Sequence, residues 1–496
     1  MIRVARTYAF ALACALAIAA APASAQLPSL GDAYELTPSA ERRIGERIAR
    51  ELYRDPDYID DPLLGEYVQT LWRPLLAAAR QRGEMPPDLD QRYAWRVLLG
   101  RDRSINAFAL PGGWLGLHLG LMSVTTTRDE LASVLAHELS HVTQRHIARM
   151  MAQDKRQTPW VIGAIILGAL AASKSPDAAA AMITGGQAAA VQGQLNFSRE
   201  MEREADRIGL GVLTQAGFEP QGFVTMFEKL QQASRLNDNG AFPYLRTHPL
   251  NLERVVDMRS RQPLGERPAP PPPDLEHALM AARARALSAG GVELQQALVR
   301  EADTVSVDAP RVQRAAAWYA GALAAMQLRE PARAIRYADR LAPLVADHAV
   351  GARLARLLSA QLALDSGDWA RAWTESGAGV GSGRPELLLS AQAAVRLGRP
   401  AEAAQRLQTW VTLVPSDATA WQLLASAQAA QGQPLRAIRS EAEARVATLD
   451  YAAARDRLRA AQEMARRGTS DHIEASIIDT RARVVESLFR EQALER

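Results

Sequence analysis

Two histidines four residues apart with a glutamate between them, His137-Glu138-Leu139-Ser140-His141, are the residues whose types and spacing point most directly to chemistry. On a helix, positions i and i+4 lie one turn above each other, so both imidazoles can face one ion while Glu138 is turned aside toward a metal-bound water. Two nitrogen ligands, an open coordination position and a nearby carboxylate are the parts of a zinc hydrolase. The same pattern also arises by chance on amphipathic helices, so the chain must offer a third protein ligand.

The elements that would position these groups follow from hydrophobic spacing. Leu131, Val134, Leu135, Leu139 and Val142 predict a helix through residues 131–150 with one buried face. On that helix His146, five residues after His141, falls off the ligand face and reads as pairing with a neighbouring helix. A second helix is predicted over 198–216, its apolar side marked by Ala205, Ile208, Val212 and Leu213. Glu202 and Asp206 lie one turn apart on it. Glu202 can supply an oxygen to the metal, and Asp206 can accept the distal N–H of one ligating histidine and so fix its tautomer. Glu204 is the competing carboxylate, but it points about 200° away from Glu202 on a regular helix. With Glu200 and Arg203 it reads as a solvated face.

Residues 38–54 and 62–82 have proline or polar starts and helical spacing, as expected of helices packed around a site. The character changes over Tyr93–Leu99 and Ile105–Met122, where alternation in WRVLL, the turn Pro111-Gly112-Gly113 and the run WLGLHLGLM predict a small sheet containing His118. Its strand Asn106–Ala109 is expected directly before the catalytic helix, either as a structural hairpin or as an edge to which an extended peptide adds. Residues 159–173 are strongly apolar but too short to cross a bilayer, and 177–196 continue them with small residues. They read as a buried or partly membrane-facing helix near the mouth of the site.

At 496 residues the chain is expected to hold two or three domains. Composition is ordinary for a globular protein, with 48% hydrophobic residues, but aromatics are only 5% and alanine is abundant, which favours helices. There is no basic block to bind nucleic acid. Arg3 and Arg6, an apolar run from Ala9 to Ala21 and the small residues Ala23-Ser24-Ala25 predict a signal peptide over 1–25, cleaved after Ala25. The single cysteine, Cys14, lies inside it, so the exported protein would have neither disulfides nor a thiolate metal site. A cysteine-free exported chain fits a bacterial periplasm.

Residues 263–274, PLGERPAPPPPD, read as a stiff linker and a domain boundary. Beyond it, LGRPAEAA at 397–404 returns as QGQPLRAI at 431–438, with LREPARAI at 328–335 and GDWARA at 367–372 as further copies. Ala334, Ala372, Ala403 and Ala437 mark the register, and the period is that of tetratricopeptide helix pairs. Four repeats are expected over 275–496, stacked as a curved solenoid whose concave face can take a partner.

HELSH followed by VTQRH, SREMEREAD, THPLNLER at 247–254 and NAFALPGG at 106–113 together resemble the M48 zinc metallopeptidases, and among them the periplasmic β-barrel assembly-enhancing proteases. The resemblance covers nearly the whole exported chain. It implies a mainly α fold, with a peptidase domain of helices and a small sheet over 26–262 followed by the repeats. It further implies one zinc ion on His137, His141 and Glu202, Glu138 as general base and Asp206 behind a ligand. The implied substrates are misassembled outer-membrane β-barrel proteins, and the implied partner is the barrel-assembly machinery. His248, next to Pro249, is then expected near the zinc in one of two roles. It either stabilises the reacting group or closes the zinc shell as an inhibitory fourth ligand. A chaperone or scaffold that holds unfolded barrel proteins on its repeats is the rival function. His277, His348 and His472 lie beyond the peptidase region.

Overall fold

The computed structural model describes residues 36–153, 198–236, 243–261, 274–377, 383–468 and 471–494. The predicted leader, the apolar stretches 159–173 and 177–196, part of the loop before His248 and all of the linker but Asp274 lie outside the described residues. Residues Thr37–Arg496 form one compact unit.

The expected first helices are present. Helix α1 (Pro38–Arg54) is capped by Thr37, and α2 (Pro62–Gln81) by the Asp61 carboxylate. Strand β1 (Tyr58–Ile59) lies between them, and a short helix α3 (Pro87–Arg92) follows. The sheet is completed by β2 (Arg96–Gly100), β3 (Ala107–Leu110) and β4 (Trp114–His118), in the order β1-β2-β4-β3. β2 and β4 are parallel, and β3 runs antiparallel to β4 at the edge. The register places Leu99, Leu117 and Ala107 in one row on the buried face of the sheet, and all three are fully or nearly fully buried.

The strand at 107–110 does not lead directly into the catalytic helix, contrary to expectation. The run WLGLHLGLM divides instead into β4 and a short helix α4 (Leu119–Val124), and only then does α5 (Arg128–Thr143) begin, capped by Thr127. Nor does α5 have a single buried face, since every residue from Glu130 to Thr143 is buried. It is the central helix of the domain, enclosed by the sheet, α2, α7 (Arg199–Gln215) and α8 (Gln221–Leu236). Polar side chains on it then need buried partners, as Glu130 has in Lys229 and the Thr126 amide and Ser140 in the Ala136 carbonyl. The predicted helix 131–150 also breaks in two: α5 ends at Thr143, Arg145 turns with φ 53°, and α6 starts afresh as His146–Gln153.

Two short helices, α9 (Pro243–Thr247) and α10 (Leu252–Ser260, capped by Asn251), bring the chain back across the site. The remainder is an array of paired helices. It runs α11 (Leu275–Ser288), α12 (Val292–Thr304), α13 (Arg311–Gln327), α14 (Pro331–Leu344), α15 (Ala349–Asp365), α16 (Trp369–Glu375), α17 (Arg384–Arg396), α18 (Pro400–Leu413), α19 (Ala418–Ala430), α20 (Pro434–Ala447), α21 (Tyr451–Arg466) and α22 (His472–Ala493). The four repeated motifs start α14, α16, α18 and α20. Among the described residues a further helix pair precedes them and another follows, so the array is longer than the motif count implies. Each tight turn before a motif places one residue in the left-handed region: Arg329, Gly367, Gly398 and Gly432.

The array does not hang from the peptidase region as a separate body. One apolar core runs from Leu64, Leu71 and Leu135 to Leu279, Leu323 and Leu358. The seam also carries polar contacts. Arg283, 2% exposed, grips both oxygens of Asp61 at 2.8 and 2.6 Å. His277 is held between the Tyr67 hydroxyl at 2.6 Å and the Thr125 carbonyl at 3.0 Å. No described helix is long and apolar enough to cross a membrane.

Candidate active site

Helices α5 and α7 cross closely because position 209 is glycine: a Cβ there would lie 3.2 Å from the Ala136 carbonyl oxygen. That approach sets the carboxylate of Glu202 against the two imidazoles of α5. His137 Nε2 and His141 Nε2 are 3.0 Å apart, and Glu202 Oε1 lies 3.3 Å from His141 Nε2. His248 joins them, its Nδ1 3.0 Å from Glu202 Oε1 and 3.3 Å from His137 Nε2. One ligand atom from each of His137, His141, Glu202 and His248 falls within 4.8 Å of the others, and all four residues are buried. His248 is carried there by the turn of α9, where its amide donates to Tyr244 O at 2.8 Å and its ring stacks on Tyr244 at 4.6 Å.

The charges explain why these groups belong together. Glu138, Glu202 and Asp206 are buried carboxylates, and Arg254 is the buried guanidinium facing them. Arg254 donates to both Asp206 oxygens and lies 2.7 Å from Glu202 Oε2. Asp206 Oδ1 is in turn 3.0 Å from His137 Nδ1. Burial disfavours charge on His137, but contact with Asp206 and Glu202 outweighs it and raises the pKa to about 10. Burial dominates at His141 and holds it well below the usual histidine range. Burial pushes the Glu202 carboxyl up, yet the neighbouring histidines, His248 first, bring it well below the carboxylate range. Asp206 is likewise lowered against burial, by Arg254. The field around His137 is therefore one that draws in a cation.

These residues fit a divalent metal. Among the described residues at this site, three buried carboxylates outnumber one buried arginine, Arg254, and imidazole plus carboxylate is a donor set for such an ion. Glu138 supplies the further test. It is fully buried, neither of its oxygens has a hydrogen-bond partner among the described residues, and Oε1 stands 3.4 Å from His248 Nε2. A buried carboxylate left without donors is costly unless a reacting group engages it.

Each predicted site residue (His137, Glu138, His141, Glu202, Asp206 and His248) is thus brought to one place. Three others have contacts beyond the sequence reading. Arg254 lies in the THPLNLER stretch, but nothing local in the sequence couples it to Asp206. His146 does meet a neighbouring helix, its Nε2 3.1 Å from Glu204 Oε2 on α7, and its Nδ1 in addition lies 2.9 Å from His141 Nδ1. Burial lowers the His146 pKa to about 4. Glu204 is therefore not merely solvated, since it also accepts from Arg149 at 2.8 Å. The signal missed was the helix break at Arg145.

A helix-borne HExxH whose buried Glu138 has no hydrogen-bond donor among the described residues, faced by a glutamate from a second helix, is the arrangement that metal-dependent peptide hydrolysis needs. The model of Peptidase family M48 matches residues 69–262. A Yersinia pestis relative named Beta-barrel assembly-enhancing protease is 33% identical over 419 residues, covering 83% of this chain and 82% of its own. A relative of the same name from Escherichia coli strain K12 is 37% identical over 252 residues, 50% of this chain and 49% of its own. The Mitochondrial metalloendopeptidase OMA1 of Arabidopsis thaliana is 34% identical over 161 residues, covering 32% of this chain and 30% of its own. The chain spans about half the length of the Vibrio cholerae and E. coli relatives it matches, 53% and 49%. The chain belongs to the M48 metallopeptidases, in the family of the β-barrel assembly-enhancing proteases.

Proposed function

We propose that this chain is a periplasmic zinc endopeptidase acting on misassembled outer-membrane β-barrel proteins, with its helical array recruiting those substrates or the machinery that assembles them. The observation that carries the reading is the convergence of His137, His141 and Glu202 beside a buried Glu138 that has no hydrogen-bond donor among the described residues. His137, His141 and Glu202 would hold the ion, and Asp206, fixed by Arg254, would orient His137. Zinc bound there would supply the Lewis acidity that peptide hydrolysis needs. Glu138 then takes the proton of the attacking water and delivers it to the leaving amine.

Strand β3 supports peptide binding. His118 N donates to Asn106 O, so by alternation the main-chain groups of Ala107 and Ala109 point away from β4 to the edge. An extended substrate can add there by backbone hydrogen bonds once the cover over Ala107 and Ala109, which are 0% and 8% exposed, is displaced. The position of His248 Nδ1 among the ligand atoms favours its reading as a fourth ligand that keeps the enzyme silent until α9 moves. The export reading of residues 1–25 and the names of the relatives support a periplasmic location and barrel-protein substrates. Peripheral membrane contact would fall to residues 159–173.

The test is Glu138→Gln in the full chain, assayed on an unfolded outer-membrane β-barrel protein with zinc present. Cleavage is expected to fall on the order of 10²–10⁴-fold with zinc content unchanged. If the variant corrects the assembly defect of a deletion strain as well as wild type does, holding substrates on the array is the main role and hydrolysis is not.

A further inference from the structure

His146 lies five residues after His141, which on a continuous helix would turn it about 140° away from the ligand face. The chain reverses this. Arg145 adopts a left-handed backbone that few non-glycine residues take, ending α5 and restarting the helix at His146. Arg145 is held in place by Glu41, 2% exposed, whose Oε1 lies 2.7 Å from both Nε and Nη2 of the arginine. The effect is to bring the fully buried His146 ring under His141, Nδ1 to Nδ1 at 2.9 Å.

We propose that His146 is a positioning residue for the metal ligand His141, fixing which of its nitrogens carries the proton and aiming Nε2 at the ion. The inference rests on the metal-site reading above. His141 Nε2 is the atom that faces His137 and Glu202, so its lone pair belongs to the ion and its proton to Nδ1. His146 Nδ1 must then accept that hydrogen bond, which leaves the proton of His146 on Nε2. That N–H faces Glu204 Oε2 at 3.1 Å, and Arg149 Nη1 donates to the same oxygen. The contacts run from an exposed arginine inward to a buried ligand. The two ligating histidines are therefore backed differently, His137 by the Asp206 carboxylate and His141 by an imidazole. Orienting partners of this kind change metal affinity by about 10–100-fold when removed.

The experiment measures zinc affinity of the full-length chain by competition with a chromophoric chelator, together with the melting temperature of each metal-free protein. His146→Leu is expected to weaken zinc binding about 10–100-fold. His146→Asn, whose side-chain oxygen can stand in for Nδ1 as acceptor, is expected to recover most of that loss. Wild-type affinity in the leucine variant overturns the proposal. So does an asparagine variant as weak as leucine when both melt like wild type, because His146 would then act only by filling space. Should His146→Leu fail to fold, Glu204→Ala reads the same chain of bonds from its exposed end: reduced zinc affinity supports the proposal and unchanged affinity overturns it. A wild-type chain that takes up no zinc overturns instead the metal-site reading beneath it.

Discussion

Arg254 grips Asp206 by both oxygens, Nε to Oδ2 at 2.7 Å and Nη2 to Oδ1 at 2.8 Å, with both side chains almost wholly buried. The pair sits behind His137 and also reaches Glu202 through Arg254 Nη1. Removing one member of such a pair leaves an uncompensated buried charge, at a cost of about 3–5 kcal/mol. Arg254→Ala is therefore expected to lower the melting temperature and to weaken metal binding together. Lysine, which lacks the planar fork, is expected to restore little of either. Thermal unfolding and equilibrium dialysis against zinc check both; a variant that keeps wild-type metal affinity would show that Asp206 needs no arginine to orient His137.

His248 is held by α9, outside the two helices that carry His137, His141 and Glu202. If the closed arrangement outweighs the open one by about tenfold, His248→Ala is expected to raise cleavage of an unfolded substrate by about the same factor. Zinc content should stay near one per chain. Cleavage lost with zinc retained would assign His248 instead to the stabilisation of the reacting group.

The His277 pKa is lowered, first by burial, with the Thr125 carbonyl opposing the shift. A histidine whose folded pKa is depressed takes up its proton more readily when unfolded. Its contribution to stability is thus complete above the unfolded value near 6.5 and is lost as pH falls below it toward the folded value. One such proton changes stability by at most ~1.4 kcal/mol per pH unit. Urea unfolding at pH 7.5 and 5.5 should show a smaller acid loss in His277→Gln than in wild type. Equal losses in the two proteins would remove His277 as a source of acid sensitivity at the seam.

Arg329 takes a left-handed backbone, φ 61°, in the turn position where three other repeats carry glycine. The side chain there costs about 1–2 kcal/mol, partly offset because glycine loses more freedom on folding. Arg329→Gly is expected to stabilise the chain by up to about 1 kcal/mol. Denaturant midpoints measured at one pH decide it, and a midpoint below wild type would mean that the arginine side chain contributes more than its backbone costs.

Much of the site was legible because it is local. His137 and His141, like Glu202 and Asp206, are one helical turn apart, so periodicity alone predicts which side chains share a face. The same reasoning located both helices whose side chains His137, His141 and Glu202 converge, and the starts of four array hairpins. It failed where a single backbone angle intervened: at Arg145 the helix breaks, and a periodic reading then sends His146 the wrong way. It also failed where chemistry depends on partners distant in the chain, as with Arg254 and Asp206, or His146 and Glu204.

The sequence by itself determined the chemistry on offer, an HExxH helix and a second helix bearing Glu202 and Asp206, because side-chain type and helical pitch are local properties. Only the tertiary structure decided that α5 is buried on all sides and that Arg254 neutralises part of the site. It alone placed His248 Nδ1 among the ligand atoms and seated the helical array on the peptidase core through Arg283 and His277. Burial and charge pairing depend on which distant segments exclude water together, and no local spacing in the chain specifies that.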